Sequence, residues 1–262
     1  MLRCTRVLVF LASLVSLLPV AATAAVDPTF PMDARVMLDA VRTTVEARIE
    51  GTIRTTRVVA VTEEARSGDW SRVREPLVVM ADGLADAAAV WFARPDGSYF
   101  TVEKGATGES LRDRAYFPTL LAGRDVIGAL VISKSTGKRS LVVASPVMVD
   151  GRFAGAVGVS IDAAKLAAGV QRAIRFPPEV VFYALDGEGR TVLHRAGDLI
   201  FVFPSDVGSP TLADAVSTML AKPEGVVEYH YAGSDRTAVF ERSALTGWVF
   251  VLGRSHPETV KP

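Results

Sequence analysis

The sequence predicts an α+β fold in which one long N-terminal helix is followed by two antiparallel-sheet units. Apolar residues recur at steps of three and four after residue 32, which is the period of one helix face. Further along, two strand-forming runs flank an Asp-Gly turn twice, over residues 88–102 and again over 180–193. A repeated hairpin with further strand-forming runs behind it indicates two successive units, each with a sheet of about five strands.

The composition excludes a nucleic-acid partner. The 262 residues carry 29 basic and 29 acidic side chains, so the formal charge is zero. A protein that neutralises phosphates needs an excess of positive charge instead. Charged residues make up 22% of the chain and hydrophobic residues 49%, which is typical of a folded domain and not of a disordered segment.

Residues 1–24 are predicted to be a secretory signal peptide. Two arginines precede an apolar run, Val7 to Val20, and the small residues Ala22-Thr23-Ala24 then form a signal peptidase site. An uncleaved membrane anchor is the alternative, but the run is shorter than the roughly 20 residues that a spanning helix needs. We therefore expect cleavage after Ala24, a short linker over 25–31, and a periplasmic or secreted protein.

The long helix is predicted over residues 32–70. Its apolar positions form one face and are Leu38, Val41, Val45, Ile49 and Ile53. At 1.5 Å per residue such a helix would span roughly 50 Å, which exceeds the width of a small domain, so it should contact more than one unit. A coiled-coil pairing helix is the alternative interpretation, although Gly51 and several threonines weaken it.

The first sheet unit is predicted over residues 71–175 and the second over 178–255, with a tail at 256–262. In the first unit we expect a helix at 77–84, the hairpin, a short helix near 115–122, strands at 126–133, 140–149 and 153–161, and a helix at 162–174. In the second unit we expect the repeated hairpin, a helix at 211–221, and strands at 226–231, 236–241 and 248–252. Paired prolines at 177 and 178 interrupt regular structure between the units.

Several short motifs follow one another along the first unit. They are Asp113-Arg114-Ala115-Tyr116-Phe117, Gly123, Ser135-Thr136-Gly137, Ala144-Ser145-Pro146-Val147, Asp150-Gly151 and Gly155-Ala156-Val157-Gly158-Val159. In this order they resemble the double Cache family, the extracytoplasmic sensor modules of bacterial chemoreceptors and histidine kinases. The resemblance is stronger over 88–166 than over 178–253. It implies a long helix that carries two PAS-like sheets, with the ligand bound in the first, membrane-distal unit.

Neither an enzyme nor a cofactor or metal site is expected. The three histidines, His194, His230 and His256, are not at metal-ligand spacing. The only cysteine, Cys4, lies in the predicted signal peptide. The sequence contains no glycine-flanked nucleophilic serine, phosphate-binding loop or dinucleotide-binding glycine pattern.

Arg114 is the principal candidate for ligand binding. A guanidinium can donate two parallel hydrogen bonds to a carboxylate, which provides both charge and orientation. The resemblance implies the same role, since the matching arginine of the family commonly holds the ligand carboxylate. Tyr116 and Phe117 would form walls of the pocket. An ion pair with Asp113 or Glu109 is the alternative role for Arg114.

Two aromatic residues of the first hairpin are further candidates. Strand alternation places Trp91 and Phe92 on opposite faces, and likewise Tyr99 and Phe100, so one residue of each pair should face the pocket. We assign Trp91 and Tyr99 to it. Packing in the core is the alternative role for such aromatic side chains.

Ser133 and Ser160 mark departures from amino-acid-sensing members of the family. Those members have a tyrosine on the strand after the short helix and an aspartate near the end of the last strand, which together bind the ligand's ammonium group. The matching positions here fall at Ile132-Ser133 and at Ser160. The resemblance therefore implies a site that keeps its carboxylate half and loses its ammonium half, which favours a simple organic acid.

The sequence thus predicts an extracytoplasmic protein that binds a small carboxylate in the first unit and acts through a separate partner, such as a sensor kinase or chemoreceptor. No second membrane helix or signalling domain follows in the sequence, so we expect a free-standing form. Two alternatives stay open. One is a structural or interaction protein with an unused pocket, and the other is a periplasmic solute-binding protein for a transporter.

Overall fold

The computed structural model describes residues 33–256. The predicted signal peptide, the predicted linker and residues 257–262 of the predicted tail lie outside the described residues. Within 33–256, no helix combines the length and the apolar character that crossing a membrane requires.

The long N-terminal helix, α1, runs from Ala34 to Ala60. Asp33 caps it by accepting a hydrogen bond from the backbone N–H of Arg35 at 2.7 Å. The five apolar residues of the predicted face are all buried, which confirms the helical period read from the sequence.

The predicted helix over 32–70 is wrong at its C-terminal end, because α1 stops at Ala60. Two capping residues start new helices in the remaining part. The Thr62 hydroxyl accepts a hydrogen bond from a backbone N–H at the start of α2 (Glu63–Ser67). The Asp69 carboxylate does the same at the start of α3 (Trp70–Asp82), which also begins earlier than the predicted helix at 77–84. Caps of this kind replace one continuous helix with three.

Among the described residues, the first sheet has six strands, one more than expected. They are β1 (Ala87–Ala93), β2 (Ser98–Thr101), β3 (Gly105–Ser110), β4 (Val126–Ile132), β5 (Arg139–Val149) and β6 (Arg152–Asp162), all antiparallel in the order β3-β2-β1-β6-β5-β4. The missed strand is β3, whose polar and glycine-rich sequence carries no apolar alternation. The short helix α4 (Phe117–Leu121) joins β3 to β4, and α5 (Ala163–Ile174) follows β6.

The second sheet repeats this arrangement without an equivalent of β3. Its strands within the described part are β7 (Val180–Leu185), β8 (Thr191–His194), β9 (Glu224–Tyr231), β10 (Ser234–Arg242) and β11 (Val249–Ser255), in the order β8-β7-β11-β10-β9. Two helices, α6 (Pro204–Val207) and α7 (Pro210–Ala221), join β8 to β9. Since β7 and β8 take the places of β1 and β2, the predicted repeat of the opening hairpin is confirmed.

Buried apolar side chains form one core between α1 and both sheets, and a separate core on the outer face of each sheet. The outer core of the first sheet includes Trp91 and Tyr116, and that of the second includes Tyr183 and Tyr229. The helix therefore supports both sheets from one side, as predicted from its length. The outer faces are left for α4, α7 and the cavities described below.

We expect Thr56→Val to lower the free energy of unfolding by about 1–2 kcal/mol. The buried hydroxyls of Thr56 and Ser145 form a hydrogen bond of 2.9 Å that links α1 to β5. Valine keeps the shape of threonine but leaves the Ser145 hydroxyl without this partner in the core. Urea unfolding followed by circular dichroism measures the loss.

A double variant is the control for this prediction. Ser145→Ala in the Thr56→Val background removes the orphaned hydroxyl and should recover part of the lost stability. If the losses of the two single variants simply add in the double variant, the two hydroxyls do not stabilise each other.

Candidate functional site

A cavity lies on the outer face of the first sheet, beneath the segment that joins β3 to α4. Its volume is about 260 Å³, a figure that includes solvent-open space at its mouth, so the enclosed part is small. Its lining residues are Trp91, Tyr99, Leu111, Arg114, Tyr116, Val131, Ser133, Lys134, Ser135, Val142 and Ser160. The cavity thus brings together every predicted site residue except Phe117, and it suits a ligand of few non-hydrogen atoms.

The Arg114 guanidinium reaches this cavity without a carboxylate partner. One terminal nitrogen donates to the backbone carbonyl of Ile132 at 2.7 Å. The Nε is buried and has no hydrogen-bond partner among the described residues. The alternative role, an ion pair with Asp113 or Glu109, is not formed in residues 33–256, because Asp113 pairs with Lys134 instead. A buried N–H without an acceptor is costly, so this nitrogen has a donor capacity that no described residue uses.

Lys134 is a second cation at the cavity, and no motif or strand pattern in the sequence indicates it. Its ammonium donates to the carbonyl of Ser110 at 2.7 Å and to the two carboxylate oxygens of Asp113 at 2.8 and 2.9 Å. The hydrogen bond from Lys134 lowers the pKa of Asp113, so this carboxylate stays ionised at neutral pH. Lys134 lies beyond the end of β4 at Ile132, where strand alternation no longer predicts the side that a residue faces.

Tyr99 and Tyr116 both line the cavity. Both side chains are buried in the outer core of the first sheet. Burial raises the pKa of Tyr116 well above its ordinary value, so its phenol remains protonated and can donate a hydrogen bond. These two side chains therefore offer hydroxyl groups on an otherwise apolar surface.

Trp91 and Ser160 contact each other at the floor of the cavity. The indole N–H donates to the Ser160 hydroxyl at 3.3 Å. The ring lies against Gly158, where a Cβ would come within 2.1 Å of a ring carbon. Any other residue at 158 would displace the ring, so the glycine is required for Trp91 to lie against β6. Ser160 is thereby bound to the protein and presents no negative charge to the cavity.

Ser133 is in the lining and lies just beyond the end of β4. Its hydroxyl contacts that of Ser135 at 3.2 Å. The Ser135 carbonyl in turn accepts a hydrogen bond from the ammonium of Lys104. These contacts hold the turn between β4 and β5 against the cavity, and they bring the missed lining residue Ser135 into the site.

Phe117 is not at the cavity, so its predicted role as a pocket wall is wrong. Its ring is 1% exposed and packs edge to face on Phe153, with ring centroids 6.1 Å apart. Phe117 is the first residue of α4, whose buried side faces the outer core of the sheet. Its contribution is to packing, which is the common role of a buried aromatic ring.

The lining combines two cations with no carboxylate. Arg114 and Lys134 carry the positive charge, and no Asp or Glu is among the described lining residues. The adjacent Asp113 is paired with Lys134, and its side chain is 67% exposed. The charge of Arg114 is therefore the one that no carboxylate balances among the described residues of the lining. Within 33–256, no group of three His, Cys, Asp or Glu side chains is placed to hold a metal ion.

Comparisons with known proteins agree with this fold. Residues 33–262 match the family model described as Cache domain. A search of curated proteins found no match. Among solved structures, the chain resembles the ligand-binding domain of the Pseudomonas aeruginosa amino acid chemoreceptor PctB in complex with L-Arg. The identity is 17% and the TM-score 0.69, over 86% of this chain and 93% of that chain.

Two further structures have the same fold. One is the sensory domain of the Campylobacter jejuni chemoreceptor Tlp3 with isoleucine bound, at 12% identity and a TM-score of 0.59 over 85% of this chain and 91% of that chain. The other is the ligand-binding domain of the Pseudomonas fluorescens chemoreceptor CtaA in complex with L-serine. Its identity to this chain is 14% and the TM-score is 0.64, over 85% of this chain and 93% of that chain. At these identities the likeness concerns the fold alone. The family match and the fold together show that this chain belongs to the double Cache family of Cache domains.

Proposed function

We propose that this protein is an extracytoplasmic sensor module that binds a small carboxylate without an α-amino group in the first-unit cavity. The observation that carries the proposal is Arg114, a cation without an ion-pair partner among the described residues, in a lining that has no carboxylate there. The charge of the second cation, Lys134, is balanced by Asp113. The small size of the cavity, about 260 Å³, also supports the proposal, because it leaves little room for a ligand with a long side chain.

Arg114 is the proposed anchor of the ligand carboxylate. Its buried Nε has no acceptor among residues 33–256. A terminal nitrogen of the same guanidinium donates to the backbone carbonyl of Ile132 at 2.7 Å. A carboxylate at this position would accept from the free N–H and gain a charge-assisted hydrogen bond. Bonds of this kind contribute about 1.5–3 kcal/mol, which is enough to orient a small ligand.

The lining disfavours an α-amino group by its charge. An ammonium in the cavity would lie near the unpaired cation of Arg114, and only hydroxyls and carbonyls of the lining could accept its hydrogen bonds. A desolvated cation without a counter-charge is costly. The three structures with the same fold hold L-Arg, isoleucine and L-serine. We propose that this chain uses that fold for a different class of ligand.

The proposed location and partner follow from the family. The predicted signal peptide and membership of a family of extracytoplasmic sensor modules support a periplasmic protein. The likeness to chemoreceptor domains supports action on a membrane-bound chemoreceptor or sensor kinase. That partner would bind this protein and respond to whether the first unit holds a ligand.

A thermal-shift titration with matched acids tests the proposal. Propionate and alanine, isovalerate and valine, and succinate and aspartate each differ by one α-amino group. We expect at least one of the three simple acids to raise the melting temperature saturably, because ligand binding to the folded state stabilises it by mass action. Its amino counterpart should leave the melting temperature unchanged.

Two outcomes would count against this function. Stabilisation by the amino acids alone would contradict the ligand class. Stabilisation by none of the six compounds would favour an interaction protein with an unused cavity and would overturn the proposal.

A further inference from the structure

A second cavity lies on the outer face of the second sheet, beneath α6 and the beginning of α7. Its volume is about 440 Å³, a figure that includes solvent-open space at its mouth. Strands β7 to β10 provide its polar groups, among them Tyr183, Thr191, His194, Tyr229 and Arg236. The segment 199–212 covers it with apolar side chains.

This cavity occupies the same position in the second unit as the first cavity does in the first. Trp91 on β1 and Tyr183 on β7 both belong to the outer core of their sheets, and these two strands hold equivalent places in the strand order. In both units the cover is the segment between the opening hairpin and the later strands. Both linings contain one arginine and several tyrosines. The first adds Lys134 and three serines, whereas the second adds His194 and more apolar side chains, so the two cavities would not select the same ligand.

Arg236 is the cation of the second cavity. No ion pair of its guanidinium occurs within residues 33–256, and its buried Nε has no hydrogen-bond partner there. The guanidinium lies over the ring of Tyr231, 5.0 Å from the centroid, which holds the side chain at the cavity. A buried N–H that lacks an acceptor gains most from an anionic ligand.

His194 offers a neutral donor beside this cation. Its Nδ1 accepts a hydrogen bond from the N–H of Ala196 at 2.8 Å, so the proton of the neutral ring lies on Nε2. Burial lowers the pKa of His194 to about 4, which keeps the ring neutral at physiological pH. The ring of Tyr183 lies 6.1 Å away between centroids, and its hydroxyl donates to that of Tyr229 at 3.4 Å.

We propose that the second cavity binds a small monocarboxylate with a branched or aromatic apolar body. Arg236 pairs with the carboxylate, and the tyrosine rings and the apolar cover, with Leu199, Val202 and Leu212, surround the body. One cation matches one negative charge, whereas a second carboxylate would lie unpaired among apolar side chains. This site is independent of the one proposed for the first unit.

Isothermal titration calorimetry of the whole chain tests this site, with phenylacetate as the probe and succinate as the comparison. We expect the second cavity of the wild type to bind phenylacetate more tightly than succinate. Arg236→Gln should weaken phenylacetate binding about tenfold or more, because one charge-assisted hydrogen bond is lost. Arg254→Gln is the matched control, since Arg254 belongs to the same sheet and lies outside the lining. Equal melting temperatures of these two variants exclude misfolding as the cause.

A blocking variant tests the same site without removing a charge. Val207 lines the cavity and its side chain is 56% exposed, so Val207→Trp can fill the mouth without disturbing the core. Val226 is 55% exposed and is not in the lining, which makes Val226→Trp the matched control. We expect Val207→Trp to weaken phenylacetate binding and Val226→Trp to leave it unchanged.

The first-unit variant Arg114→Gln separates this site from the one proposed above. Phenylacetate binding that persists in Arg114→Gln and falls in Arg236→Gln supports the second site. Binding that is lost in Arg114→Gln and kept in Arg236→Gln places the probe in the first cavity, which overturns the second site and leaves the proposed function intact. Absence of phenylacetate binding to the wild type also overturns the second site.

Discussion

Gly128→Ala is expected to lower the free energy of unfolding by about 2–6 kcal/mol, because two costs combine at this position. Gly128 interrupts the pairing of β4 with β5 and has a φ of +74°, a conformation that costs other residues about 1–3 kcal/mol. A Cβ on Gly128 would also lie 2.6 Å from Cζ2 of Trp248. Displacing a buried ring costs typically 1–3 kcal/mol. Urea unfolding of both proteins measures the difference.

Gly137→Ala is the matched control for this prediction. Gly137 has a φ of +70°, close to that of Gly128, but nothing lies within 4 Å of the place that its Cβ would take. It should therefore show the backbone cost without the contact with Trp248. Trp248 adjoins β11 of the second sheet, so the difference between the two variants reports the contact between the sheets. Equal losses in both variants would mean that this contact does not contribute.

Arg114→Gln is expected to weaken binding of the stabilising acid about tenfold to a hundredfold. The guanidinium contributes charge-assisted hydrogen bonds of about 1.5–3 kcal/mol, and 1.4 kcal/mol corresponds to tenfold in affinity. Glutamine keeps a donor but loses the charge. The fold should be retained, because the one hydrogen bond of the Arg114 side chain within the described residues goes to the carbonyl of Ile132 at the end of β4. Calorimetric titration measures the loss.

Arg112→Gln is the control for the Arg114 variant. Arg112 lies two residues away on the same segment, is exposed, and is not in the cavity lining. It carries the same charge, so a general electrostatic effect on anion binding would appear in both variants, whereas a direct contact appears in Arg114→Gln alone. Equal affinity of wild type and Arg114→Gln for the acid would show that another residue anchors it.

Much of the fold is predictable because its patterns are regular. The period of Leu38 to Ile53 predicts the buried face of α1, and the Asp-Gly turns predict both hairpins. The same regularity places Trp91 and Tyr99 on the cavity side of the first hairpin, since alternation leaves only two choices for each pair. The chemistry of Arg114 and the motif around it predict its position at the cavity.

What was missed depends on irregular backbone. The end of α1 is set by the caps at Thr62 and Asp69, which an apolar period does not register. The edge strand β3 has no apolar alternation. Lys134 lies in a turn, where successive side chains do not alternate between two faces, so the sequence does not predict that it faces the cavity. Its ion pair with Asp113 joins residues that are distant in sequence. Phe117 was assigned to the cavity because it adjoins Tyr116, but the start of α4 turns it into the core.

A crystal structure of the protein grown with the most stabilising acid of the thermal-shift screen tests the central claim most directly. We expect the ligand carboxylate within hydrogen-bond distance of the Arg114 guanidinium, in the cavity bounded by Trp91, Tyr99 and Tyr116. A ligand that occupies another site would contradict the account. So would an α-amino acid whose ammonium is held in the same cavity.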